Sequence, residues 1–544
     1  AADMNTKITI GKVKVGWWKK ISLHNVLIYD QQGDTLIHAG KVSVNYKKFN
    51  PEKRIIELSK IDLENANVHF EKHPDQELFN FNFFIKYLQP ANRDTTKPPK
   101  IWTISSDKIN IKNAAFRYRN SEKAPPKDRR FDENYFEFGQ INGEISSFTI
   151  VNDSLSFRIK SLHTIEKSGL EVTNLTADTR IHRNSIAFFN MLLKTPNSTL
   201  GNQLEMNYSG YPSLSDLIDA VDIKANLINS NVSLKDIAYF YEPIWGQNKS
   251  FIVSGKSDGP ISRLDINDII LNHGKHTNLT GSIDFSGLPD IQNTLIDCNI
   301  SGFQSEITEL SQLFGLNSVN TEIASIGKIE FKGNLIGFTH DFVSRGNWNT
   351  NLGVAYTDLK FKYTNKESIL DASYIGKLKT TGFNLKTLAP GAGLGTFAGE
   401  IDADGTGLRF MSMNATVKSN IDRFEFSGKT ISNAIVDGQF KKGVFEGHSS
   451  VKDNNLDMSF TGKIDFNTSE PVIDVDADIN KANLAYFGLD TGQSTVSGKI
   501  NSPEFNDSSI APATPQLTKP STFNASNFFE ALRAGSWPIP DRHK

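Results

Sequence analysis

Apolar side chains recur at every second residue over most of this chain, and a period of two admits extended strands with one dry and one wet face. Leu456, Met458, Phe460, Gly462, Ile464 and Phe466 fall on one face, with Asp457, Ser459, Lys463 and Asp465 opposite. The next run sets Ile473, Val475, Ala477 and Ile479 against Asp474, Asp476 and Asp478, and Val42, Val44 and Tyr46 read the same way. Gly, Asn and Asp punctuate the runs, as turns between antiparallel strands require. The clearest expected helices are few and short, Phe83–Leu88, Ser233–Tyr241, Ser305–Phe314 and Ala482–Phe487, with Ser233 and Asp236 forming a capping box. So few helices cannot supply the crossovers of a parallel sheet, so the expected sheet is antiparallel.

Two short patterns recur at unequal spacing. Aliphatic, any, aliphatic, any, Asn, then small or aliphatic appears at Ile21–Val26, Ile61–Ala66, Ile109–Ala114 and Leu170–Leu175. Its Asn25, Asn65, Asn113 and Asn174 tolerate left-handed backbone, which marks bulges or turns. Gly, polar, Ile recurs at Gly281, Gly327, Gly399, Gly462 and Gly498. Such self-similarity implies one architectural unit used repeatedly with insertions. Three regions follow: 1–130, an N-terminal β region; 131–500, repeated β segments; and 501–544, a Pro-rich tail with one short helix at Asn527–Ala534. Residues 90–100 and 121–130, polar and Pro-rich, read as exposed loops.

Composition narrows the function. The 544 residues carry 59 basic and 61 acidic side chains, a formal charge of -2, which lacks the basic footprint of a nucleic-acid binder. Cys298 is the single cysteine, so no internal disulfide and no thiolate zinc site is expected. No apolar run approaches the roughly 18 residues that span a bilayer. The chain opens on AADMNTKITIGKV, without an initiator Met or signal peptide, which leaves room for an anchoring segment upstream.

Motifs that carry chemistry are weak. His273 and His276 sit in a Gly- and Asn-containing turn without a carboxylate triad. Asp402, Asp404 and Gly405 resemble the start of a calcium loop, but the twelfth position is Met413, and Gly405 reads as a hairpin turn. Gly391, Gly393 and Gly395 lack the strand-to-helix context of a dinucleotide loop. The three aspartates of 474–478 read as the solvated face of a strand. No catalytic residue, metal or cofactor is expected, and the chain reads as non-enzymatic.

The apolar faces admit two accounts. Two sheets packed face to face would make Phe79, Phe81, Phe83, Leu456, Phe460 and Ile464 an ordinary sandwich core. A single sheet curling without closing would make the same residues the lining of an apolar trough.

The stretch ITIGKVKVGWWKKISLHNVLIYDQQGDTLIHAGKVSVNY, followed by IDLENANVHF and FNFNFFIKYL, resembles the N-terminal part of TamB-like proteins of the AsmA family. The similarity lies in a paired-aromatic strand, the Asn-containing strand ends, the GDTL turn and an FNF strand leading into a helix. GKIEFKGNLIGFTHDFVSRGNWNTNLG and TISNAIVDGQFKKGVFEGHSSVKDNNLDMSFTGKIDF look like that family's middle repeats. The resemblance implies an elongated, U-shaped repeating β-groove carrying phospholipids across the periplasm of a two-membrane bacterium. It also implies inner-membrane anchoring through an N-terminal helix outside this numbering, and an Omp85-type outer-membrane barrel as partner. The expected lining is Val42, Val44, Phe79, Phe81, Phe83, Leu456, Met458, Phe460, Ile464, Phe466, Ile473 and Val475, with Trp17 and Trp18 near the inner membrane. Two alternatives are an assembly factor whose sheet edge templates outer-membrane strands, and a surface adhesin or carbohydrate-binding β array.

Overall fold

The computed structural model describes residues 6–500 except 18, 75, 77, 84–101, 126–129, 152–153, 211–212, 215, 315–323, 365–370, 388–392, 409–410, 468–471 and 489–493. The Pro-rich tail with its expected helix, the loop 90–100 and most of the expected helix Phe83–Leu88 therefore lie outside the described residues. Of the described residues, 71% are in strands, 27 strands in all, in open sheet that does not close on itself. The mostly β architecture expected from the alternation is what the structure shows, and of the two accounts the alternation left open the sheet is the single open one. The chain divides into two compact units, residues 1–273 with 282–290, and residues 274–281 with 291–544.

In the first unit the ladder begins Ile8–Gly16, Lys20–Tyr29, Thr35–Asn50 and Ile55–Lys72, each strand antiparallel to the next. The next pair departs from the antiparallel expectation. Ile55–Lys72 and Thr103–Asn120 run parallel along their whole length, with Ile55 beside Thr103 and Lys72 beside Asn120. A tight hairpin cannot join parallel neighbours, so the chain must be carried back to the start of the strand, and residues 73–102 do this. Antiparallel pairing then resumes through Tyr135–Val151 and Ser154–Glu166, so the ladder runs on through position 130.

The Phe79–Phe83 segment of this return is not the expected strand. It is a turn running into helix, and Asn80 replaces strand pairing with its side chain. Asn80 N donates to Glu71 O, its Oδ1 accepts from Glu71 N, and its Nδ2 donates to His69 O.

The second unit is a meander from Leu295–Glu306 to Thr495–Ile500, twelve strands in which each is antiparallel to the next. Two short α-helices are described. Ile307–Phe314 falls where the sequence predicts it, whereas Leu234–Ile237 is shorter than expected, with Ser233 Oγ accepting from Lys235 N as its cap. Asp236 does not complete the capping box; it turns to accept from Thr195, Asn197 and Ser198. Ala482–Phe487 is not helical. Its first two residues finish the strand Val472–Asn483 and the rest are turns ending near Gly488, too few to offset the cost of nucleating a helix.

Asn25, Asn65 and Asn113 have φ of 52°, 53° and 50°, the left-handed backbone their sequence pattern predicts. They do not end strands. Each lies inside a strand, and Asn113 Nδ2 donates to Asn65 Oδ1 at 2.7 Å, so the kinks stand side by side on neighbouring strands. One such residue offsets the alternation by one, which keeps Ile21 and Leu23 on the same side as Val26 and Ile28. Asn174 differs, opening the strand Asn174–His182 without positive φ.

Candidate functional site

Register converts the alternation of single strands into apolar rows that cross the sheet. In the first unit Val15, Ile21, Val44, Ile61, Ile109, Ile145, Ile159 and Ala177 stand opposite one another on successive strands. Beside them run Val13, Leu23, Val42, Leu63 and Ile111, and beyond the asparagine kinks Ile8, Ile28, Ile37, Val68, Phe116 and Phe138. Residues directly opposite in a ladder share a face, so these rows form one apolar surface. Val42 and Val44 lie in it half-buried.

The second unit repeats the device. Ile296, Gly337, Phe342, Phe361, Tyr374, Gly405, Ala415, Phe440, Phe445, Ile464 and Ile473 form one row. Gly405 thus lies within this row, one residue from the end of the strand Leu394–Thr406, and is not a hairpin turn residue. The row through Met458 joins Phe303, Phe331, Trp348, Ala355, Thr380, Gly399, Ile421, Ala434, Val451 and Ile479. Leu456 and Val475 are buried in a cluster with Ala477, Ile479, Ala482 and Ile500, against which Met458, Phe460 and Ile464 pack half-buried. Ile473 is 36% exposed, and Phe466 lies just past the strand Leu456–Asp465, its N–H on Gly443 O.

The opposite face is laddered in charge. Asn334, Arg345, Asp358, Lys377, Asp402, Lys418 and Asp437 stand opposite one another in order. Arg345 reaches Asp358 at 3.0 Å, Lys418 reaches Asp437 at 3.6 Å, and Lys499 reaches Asp478 at 3.1 Å. The Asp358 carboxylate accepts from Arg345 and holds the guanidinium above its ordinary pKa. Asp476 and Asp478 are exposed and alternate with buried Val475, Ala477 and Ile479, as a solvated strand face requires.

Phe79, Phe81 and Phe83 are placed differently from the other expected lining residues. They belong to the return segment, where Phe81 packs on Phe70 at 4.2 Å between ring centroids and Phe79 on Tyr118 at 5.1 Å. Phe83 is buried. This aromatic cluster, continued by Phe116 and Phe136, covers the apolar surface near one end of these strands. Trp17 follows the edge strand Ile8–Gly16 and is 90% exposed, and Trp18 lies outside the described residues.

Sequence reasoning missed most members of the rows, among them Ile21, Ile61 and Ile109. The signal was present, because all three open the Asn-containing pattern. What was absent is register, since nothing local tells one strand which residue of another it will face. Sequence reasoning also passed over a polar cluster of Asp30, Asp34, His69, Glu71 and His73. His273 and His276 are engaged separately, His273 Nδ1 with Ser250 O and His276 with Glu306.

No protein-family model, curated protein or solved structure matches this chain.

Proposed function

We propose that the apolar rows carry the acyl chains of lipids, making this chain a passive conduit for phospholipids in a bacterial envelope. The observation behind this reading is the pairing of continuous apolar rows, half-buried at Val42, Val44, Met458, Phe460 and Ile464, with a laddered ion-pair face on the other side. Among the described residues of each unit the strands follow one another in a single ladder, so their hydrogen bonding supplies no second sheet to pack on the rows. Burial of a methylene is worth about 0.8 kcal/mol, so a row that is apolar at nearly every strand holds a hydrocarbon tail without a tight pocket. Headgroups remain at the wet edge. The resemblance to TamB-like proteins of the AsmA family supports the same reading, together with periplasmic placement, inner-membrane anchoring and an Omp85-type barrel partner. Nothing in the reading calls for a catalytic step.

The test is a photo-crosslinking amino acid at Phe460 or Val44, with Lys418 or Asp437 as the control on the charged face, in cells with labelled phospholipid. Lipid adducts at the two apolar positions and none at the charged ones are expected. Equal labelling on both faces, or none, removes the lipid reading.

A second reading has one observation in its favour. Among the described residues Ile8–Gly16 pairs only with Lys20–Tyr29 and leaves Val13 and Val15 exposed, a free edge able to add a strand. Polypeptide trapped by a crosslinker at Val15, with no lipid trapped at Phe460, favours an assembly factor instead.

A further inference from the structure

We propose that Asp30, Asp34 and His73 bind a divalent transition-metal cation of the Zn2+ class, clipping the turn between Lys20–Tyr29 and Thr35–Asn50 to the end of a neighbouring strand. Each of the three offers a ligand atom, and these atoms lie within 4.8 Å of one another. Asp30 follows the strand Lys20–Tyr29, Asp34 closes the turn that Asp30 opens, and His73 follows the strand Ile55–Lys72. Sheet pairing through Thr35–Asn50 brings these distant positions together.

The Asp30 side chain has no solvent exposure. Its Oδ1 accepts from Gln32 N at 3.0 Å and Asp34 N at 2.8 Å, which fixes the carboxylate and turns Oδ2 toward His73. Among the described residues Oδ2 has a single long hydrogen bond, from Asn80 Nδ2 at 3.3 Å, and stands 3.8 Å from His73 Nε2.

The His73 side chain keeps 23% exposure, but its Nε2 atom is buried and has no hydrogen-bond partner among the described residues, an arrangement that costs free energy unless something occupies its lone pair. The other ring nitrogen, Nδ1, faces Glu71 Oε1 at 3.9 Å, the side from which a carboxylate orients a metal-binding imidazole. Glu71 is itself fixed by Ser121 Oγ at 2.7 Å. Asp34 is exposed, so its carboxylate is free to swing the last fraction of the distance to a cation that takes ligands at about 2.0–2.2 Å. One imidazole and two carboxylates favour Zn2+ over Mg2+ or Ca2+, which prefer all-oxygen shells.

Isothermal titration of the full chain, stripped with chelator, with Zn2+, Mg2+ and Ca2+ tests the site. One Zn2+ per chain is expected, with affinity for Mg2+ and Ca2+ at least tenfold weaker. Asp34→Asn and His73→Gln should each lower Zn2+ affinity tenfold or more, and Zn2+ should raise the melting temperature of the wild type but of neither variant. Asp34 lies on the surface, so Asp34→Asn keeps the test decisive if His73→Gln does not fold. The proposal is overturned by absence of Zn2+ binding at 100-fold excess, by Zn2+ affinity unchanged in Asp34→Asn, or by equal affinity for Ca2+.

Discussion

Phe445 lays its ring over Gly438: a Cβ added at Gly438 would stand 2.6 Å from Phe445 Cε2. The adjacent Gly447 is tighter still, because an added Cβ there would meet Asp437 O and Gly438 Cα at 2.4 Å. Three neighbouring strands thus bring Gly438, Gly447 and Gly462 into one row, where backbones approach more closely than any side chain allows.

Gly447→Ala should therefore destabilise the second unit by about 1–3 kcal/mol, the usual cost of overpacking, because backbone atoms cannot move aside as a side-chain tip can. Gly382→Ala is the control. Its added Cβ meets only Thr396 Cγ2 at 3.7 Å and Arg423 Nη2 at 3.9 Å, ordinary contacts, so it should be nearly neutral. Urea unfolding followed by amide hydrogen exchange in Lys429–Lys441 and Val444–Lys452 separates the two.

Asn65 should be hard to replace. Its φ of 53° disfavours a β-branched side chain, and its Oδ1 accepts from Asn113 Nδ2. Asn65→Val is expected to cost about 2–3 kcal/mol, strain plus the lost hydrogen bond, and Asn65→Gly only about 1 kcal/mol for the bond. If Asn65→Val unfolds at the wild-type urea concentration, the kink is not a constraint on the sheet.

Tyr118 sits in the aromatic cluster with its hydroxyl buried and unpartnered among the described residues, and burial pushes the phenol up to about 12. Removing an unsatisfied hydroxyl relieves a desolvation penalty, so Tyr118→Phe should be neutral or stabilising by up to about 1 kcal/mol. Loss of stability on this substitution would show that the hydroxyl has a partner.

Arg117 grips Glu137 through two hydrogen bonds of 2.8 and 2.9 Å, and that contact holds the Glu137 carboxyl below the usual glutamate range. A folded-state value below the unfolded one means the contribution is complete above the ordinary glutamate pKa. It is lost as pH falls through that value toward the lower folded one. Glu137→Gln should flatten the stability profile in this acid window and leave its slope near neutral pH unchanged. Both side chains are partly exposed, so the effect is small and weakens with salt.

Strands, their two faces and the left-handed backbone of Asn25, Asn65 and Asn113 were legible from sequence, because each rests on local physics, whereas the positive φ of Asn190, Asn229 and Asn433 was not foreseen. A pleated strand sends neighbouring side chains to opposite sides, and Asn tolerates positive φ wherever it stands. The solvated aspartates of 474–478 and the helix Ile307–Phe314 follow from the same short-range rules. The expected helix Ala482–Phe487 failed because pairing with Thr495–Ile500 holds its first residues in a strand.

Tertiary structure alone decided which residues face one another. Ile61 and Ile109 lie side by side only because Ile55–Lys72 and Thr103–Asn120 are parallel, a pairing made possible by the long return through Asn80. The same register aligns the apolar rows and brings Asp30 to His73. Alternation determines which side of a strand is greasy, whereas the cooperative pairing of whole strands determines what continuous surface those sides build.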